Sequence, residues 1–157
     1  MTYFIFKVLC KVGEYDKVLR FIKDYYGGML KMGATTFFED FDLAWLKDDP
    51  LPLYEFEKDG RKHIHADYGR FCYTGFRHSC CHGWSAGVVP LLFEEIAGVE
   101  ILDAGYKKVK IEPKLCSLKF IDAGIPTPYG LLQIKAYKKD GKTVVEKIVP
   151  QGIEVVK

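Results

Sequence analysis

Gly33-Ala34-Thr35-Thr36-Phe37-Phe38-Glu39-Asp40 is the stretch on which the reading of this chain turns. It is rich in β-branched and aromatic residues and has no helical period, so it reads as a loop or a short strand. A helical pattern leads into it, and a segment dense in histidine and aromatic residues follows. Glu39 is a carboxylate among aromatic rings with a second acid, Asp40, beside it. Such a setting suits proton transfer. Taken by itself, without further context, Glu39 reads as a solvated loop acid or an acid near a helix N-terminus.

Upstream, residues 3–12 are apolar on most faces and are predicted to end a buried helix, closed by Gly13. Residues 14–26 repeat the period: Tyr15, Val18, Leu19, Ile22 and Tyr26 share one face, while Asp16, Lys17, Lys23 and Asp24 take the other. Gly27-Gly28 is expected to end or kink this helix, leaving a helical hairpin joined near Gly13. Downstream, residues 48–59 carry Pro50 and Pro52 among acids and read as an exposed loop. Residues 61–81 are irregular. Helical spacing returns over residues 84–97, with Pro90 tolerable only in a first turn and Gly98 as the stop.

Beyond Gly98 the period changes from helical to alternating. Val109 and Ile111 against Lys108 and Lys110 give the pattern of a half-buried strand. Further strands are expected over 117–123, 131–137, 143–149 and 153–156, and Asp140-Gly141 is a strong hairpin turn between two of them. The fold class is therefore α+β, N-terminal helical hairpins followed by an antiparallel β-sandwich, with the division near residues 98–104.

The balance of 23 basic and 21 acidic residues, without a long run of either sign, argues against a nucleic-acid surface. Residues 1–10 lack a basic leader and a small-residue cleavage site, so no signal peptide is read there. No apolar run reaches the roughly 20 residues that span a bilayer. The expectation is a soluble chain that binds neither nucleic acid nor membrane and is cytoplasmic as given. Five cysteines at irregular spacing read as reduced thiols, not a disulfide scaffold. The aromatic content, 15%, serves either a core or sugar-stacking platforms.

Two local patterns suggest other chemistries. Gly83-Trp84-Ser85-Ala86-Gly87 matches the G-x-S-x-G elbow of serine hydrolases, but no histidine follows His82, so the required order of triad partners fails. His78, Cys80, Cys81 and His82, with His63, His65 and Cys72 upstream, have the residue types of a zinc site but no Cys-x-x-Cys pair. The reading taken is no metal and no cofactor. A nucleophilic Cys81 paired with His82 is weaker, because sequence neighbours seldom face each other.

Several motifs occur in a fixed order: Gly27-Gly28-Met29-Leu30, then Gly33 to Glu39, then Cys81-His82-Gly83-Trp84-Ser85-Ala86-Gly87. Gly105 to Pro113 and Pro126-Thr127-Pro128-Tyr129-Gly130 follow. Together they resemble the C-terminal part of bacterial α-L-rhamnosidases, glycoside hydrolases of the six-hairpin (α/α)6-barrel type. The resemblance covers nearly the whole chain except residues 46–71. It implies that residues 1–100 end a catalytic barrel and residues 101–157 form a C-terminal β-sandwich domain. It implies an inverting reaction on terminal α-L-rhamnosides, with Glu39 as general base and His82, Phe38 and Trp84 at the sugar. The family usually has Trp at the position of Phe38, and its general acid lies in barrel sequence that this chain does not contain. The implied partners are a rhamnoside substrate and either the missing barrel half or a second copy of the chain. An isolated chain is expected to be inactive. The alternative is a non-catalytic carbohydrate-binding or interaction module, using the aromatic residues of 54–76 or the surface of the sandwich.

Overall fold

Helix α1 spans Thr2–Lys11, and only Phe6 and Cys10, one turn apart, are buried in it. Phe4, Ile5 and Val8, with Val12 just beyond, stay exposed, so the helix read as buried presents an apolar stripe to solvent. The computed structural model describes residues 2–56, 59–69 and 75–156. The chain forms two compact units, Met1–Ile5 with Lys17–Val88, and Phe6–Asp16 with Val89–Lys157.

Helix α2, Tyr15–Lys31, runs straight through Gly27-Gly28. The expected break does not occur, because Gly28 has a packing role. A Cβ there would stand 3.0 Å from the ring of Phe41 and 3.1 Å from Leu46, so the missing side chain lets an aromatic residue lie against the helix. The helix stops at Gly33, whose φ of +82° suits glycine. Gly33 N–H donates to Leu30 and Ala34 N–H to Met29, the paired bonds of a Schellman cap.

Around α2 the first unit builds its core from aromatic rings. Tyr26 meets Phe37 edge-on, Phe41 meets Tyr25, Phe38 and Trp45 in the same manner, and Trp45 lies tilted against Tyr68 at 5.3 Å. Much of the aromatic surplus is thus core. A 3-10 turn over Leu43–Asp48 is capped by Asp42, whose carboxylate accepts from Ala44 N–H. Residues 48–59 are not uniformly an exposed loop: Leu51 is fully buried and pairs with His63, donating its N–H to Lys62 and accepting from Ile64.

The helix expected from residue 84 starts later. Residues 83–87 make turns, with Ser85 and Ala86 N–H bonded to His82 and Gly83 carbonyls. Helix α3 covers Val88–Leu91 and continues as a π-helical turn, Leu92–Ile96. Pro90, lacking an N–H, falls in the first turn where none is needed.

In the second unit, β1 (Val99–Asp103), β2 (Lys108–Ile111) and β6 (Glu154–Val156) form one sheet, and β3 (Phe120–Thr127), β4 (Gly130–Lys139) and β5 (Lys142–Ile148) the other. The second sheet is an antiparallel meander. Its Ile121, Ile125, Leu132, Ile134 and Ala136 are buried at alternate positions, as period 2 requires. Asp140 and Gly141, at φ +51° and +75°, turn β4 into β5 as their sequence predicts. The first sheet is mixed, because β6 pairs parallel to β2. The wholly antiparallel arrangement expected from sequence therefore holds for one sheet of the two. Among the described residues no helix is long and apolar enough to cross a membrane.

Several protonated groups are held so by the fold, which sets a pH limit. Burial pushes the Cys10 thiol from 9.0 up to about 11. Burial and the bond to Asp48 push Tyr68 from 10.0 up to about 12. Lys7 rises above its ordinary 10.5 because its bonds to Glu95 and Glu94 outweigh desolvation. In each case the folded chain keeps a proton that the unfolded chain loses, so stability falls as pH rises. For Cys10 and Tyr68 the contribution is complete below about pH 9 and is lost progressively up to about pH 12, while that of Lys7 persists to higher pH. Thermal melts across this range should show that decline. In Cys10→Val the decline above about pH 9 should be shallower, the rest of it coming from Cys80 and Cys116, which burial also raises, and from Tyr68.

Candidate active site

The loop after α2 is fixed by the segment 79–85. Glu39 N–H donates to the Ser79 carbonyl at 2.8 Å, and His82 N–H donates to the Phe37 carbonyl at 2.8 Å. Hydroxyls complete the attachment, Thr36 Oγ1 donating to Cys80 and Ser85 Oγ to Phe38, while Tyr26 Oη donates to Ser85. The serine of the G-x-S-x-G pattern is thus a strap between two loops. The Thr36 hydroxyl is likewise spent on a backbone carbonyl and not on Glu39.

This frame aims the Glu39 carboxylate. Its Oε2 accepts from Ser79 N–H at 2.9 Å, and its Oε1 stands 3.5 Å from His82 Nε2. On the other side of the imidazole, Nδ1 accepts from Trp84 N–H at 3.2 Å. A neutral His82 therefore carries its proton on Nε2 and directs it at Glu39. The side chains are 18% exposed for Glu39 and 26% for His82, enough for solvent or a small ligand to reach them. Next to them, Asp40 Oδ2 is buried with no hydrogen-bond partner among the described residues.

Of the residues read from sequence, Glu39, His82 and Trp84 come together, the Trp84 ring 5.2 Å from His82 and edge-on, and 76% exposed. Phe38 does not join them. It is 2% exposed and packs on Phe41, so it offers a ligand no ring face. Ser79 was missed, and could not have been found: its contribution is a backbone N–H, which every non-proline residue has.

The metal-type residues separate into two groups. Cys81 is exposed, and both His82 nitrogens have other partners, so no Cys81–His82 pair exists. His65, His78 and Cys80 do converge, with one donor atom of each within 4.8 Å of the others. Burial raises the Cys80 thiol above its ordinary range. Cys72 lies outside the described residues.

A loop-borne carboxylate and imidazole within reach of solvent are groups able to accept, hold or hand on a proton. The model of the bacterial alpha-L-rhamnosidase C-terminal domain matches residues 98–156. The GH78 family rhamnosidase of Bacillus sp. GL1 is similar over 98% of this chain and 14% of its own, at TM-score 0.69 and 27% identity. The alpha-L-rhamnosidase from Dictyoglumus thermophilum is similar over 98% of this chain and 15% of its own, at 0.66 and 26%. That of Streptomyces avermitilis, complexed with L-rhamnose, covers 95% and 13% at 0.66 and 20%, and shows the fold alone. None of the curated proteins compared matches the chain. The chain is thus similar over nearly its whole length to the C-terminal part of bacterial α-L-rhamnosidases, and residues 98–156 match the model of that family's C-terminal domain. It spans about one seventh of the length of the solved enzymes.

Proposed function

We propose that this chain supplies the general base and part of the sugar pocket of an inverting α-L-rhamnosidase, with Glu39 as the base. The observation that carries this reading is the aimed carboxylate: one oxygen bonded to Ser79 N–H, the other facing His82 Nε2. In the reaction, a water on the far face of the sugar loses a proton to Glu39 as its oxygen bonds to the anomeric carbon. The glycosidic bond breaks, and the leaving oxygen takes a proton from a general acid. No residue of this chain is assigned as that acid. In an inverting pair the two carboxyls stand roughly 6.5–9.5 Å apart, which leaves room for the water. His82 holds Glu39 from the side and lines the pocket in which the sugar would sit. Trp84 gives an exposed ring at the rim.

The apolar stripe of α1 accords with a helix that packs on further barrel helices. The isolated chain should not hydrolyse an aryl α-L-rhamnoside. Exchanged into the Bacillus sp. GL1 enzyme for the equivalent segment, it should support hydrolysis with β-L-rhamnose as the first product, followed by NMR. Formation of the α-anomer first, or turnover by the isolated chain, overturns the reading. The alternative, a carbohydrate-binding module, draws on Tyr54, Phe56 and Phe76, which are exposed. It predicts that the isolated chain binds sugar and that Tyr54→Ala with Phe56→Ala removes that binding.

A further inference from the structure

We infer that His65, His78 and Cys80 form a binding site for a zinc-class divalent cation, which ties the inserted segment to the loop that holds Glu39. The donor atoms lie within 4.8 Å of one another. Zinc bound tetrahedrally, with Zn–N of about 2.0–2.1 Å and Zn–S of about 2.3 Å, needs donors separated by about 3.3–3.6 Å. Small side-chain rotations close that difference. Two imidazoles and a thiol are a borderline-soft set that favours zinc over magnesium or calcium. Three protein ligands leave a fourth position for water.

The surroundings prepare the ligands. His63 Nδ1 accepts from the N–H groups of both His65 and Ala66 at 3.2 Å. His63 N–H donates to Asp67 Oδ2, and Asp67 N–H returns to the His63 carbonyl. These four bonds lock the turn that presents His65. The His65 Nε2 stands 2.8 Å from the His78 carbonyl. Donation there fixes the tautomer and leaves Nδ1 with its lone pair for a metal, the second-shell arrangement common to metal-binding histidines. His78 is itself buried, with Trp45 tilted beside it, and Phe76 stands edge-on to His65.

His78 and Cys80 flank Ser79, the residue whose N–H and carbonyl hold Glu39. A cation gripped by both neighbours would fix Ser79, and through it the carboxylate. Binding replaces the thiol proton, which leaves to solvent, with a sulfur–metal bond. The site does not depend on the rhamnosidase reading, since it is tested by metal binding alone.

The test is titration of the purified 157-residue chain with Co2+ and then Zn2+, both free of chelator. One equivalent of cobalt should give a thiolate-to-cobalt charge-transfer band that zinc displaces. The band should vanish in Cys80→Ser and persist in Cys81→Ser. Saturating zinc should protect Cys80, but not Cys81, from alkylation mapped by mass spectrometry, and this arm needs only the native chain. No band, a band unchanged in Cys80→Ser, a band lost only in Cys81→Ser, or a Cys80 equally alkylated with and without zinc each overturns the assignment.

Discussion

Glu39→Gln, made in the exchanged enzyme, should lower kcat on an aryl α-L-rhamnoside by about 10²–10⁴-fold with little change in KM, the effect expected for a lost general base. The substitution separates chemistry from structure. A glutamine amide keeps an oxygen able to accept from Ser79 N–H, so the bond that holds the loop survives. What it lacks is a basic oxygen, and its NH2 would oppose the Nε2 proton of His82 across the 3.5 Å gap. Azide provides the control. As an anion it needs no deprotonation, so it should restore turnover in the variant and give the β-configured glycosyl azide. Wild-type rates in Glu39→Gln would remove Glu39 from the mechanism. Lost activity without azide rescue would assign Glu39 to holding the loop.

The parts of this molecule that depend on neighbouring residues were legible in its sequence, and those set by distant ones were not. Alternation in β2 and β4 and the Asp140-Gly141 turn are local facts, and the chain obeys them. Strand β1 has only Val99 buried, so it carries no alternation to read. The parallel pairing of β6 with β2 joins residues about 45 apart and leaves no local mark. Gly27-Gly28 has the composition of a helix break, yet the ring of Phe41 turns Gly28 into a contact surface. At the site, Glu39 stood out by its aromatic neighbours, but His82 came beside it only through the family resemblance. Phe38 and Phe37 look alike in sequence. Only packing shows that Phe38 belongs to the core.

Gly98→Ala should unfold or severely weaken the second unit, because two independent penalties fall on one atom. Gly98 has φ +67°, where a side chain costs about 1 kcal/mol or more. In addition, an added Cβ would lie 2.0 Å from the Glu112 carbonyl oxygen and 2.3 Å from its carbon. These are backbone atoms and cannot rotate away. The backbone on either side of them is pinned, since Glu112 N–H donates to the Gly98 carbonyl at 2.8 Å and Lys114 N–H to the Ile96 carbonyl at 2.9 Å. Relief of the clash must therefore pull apart the start of the β1–β2 ladder, where Val99 pairs with Ile111. A loss of about 4 kcal/mol or more is expected, among the largest that single substitutions cause. The melting temperature should fall by roughly 10–20 °C. Gly141→Ala isolates the first penalty: its φ is +75°, but nothing lies within 4 Å of an added Cβ. That variant should lose only about 1 kcal/mol. If the two variants melt together, the close approach of Glu112 to Gly98 is not what holds this seam.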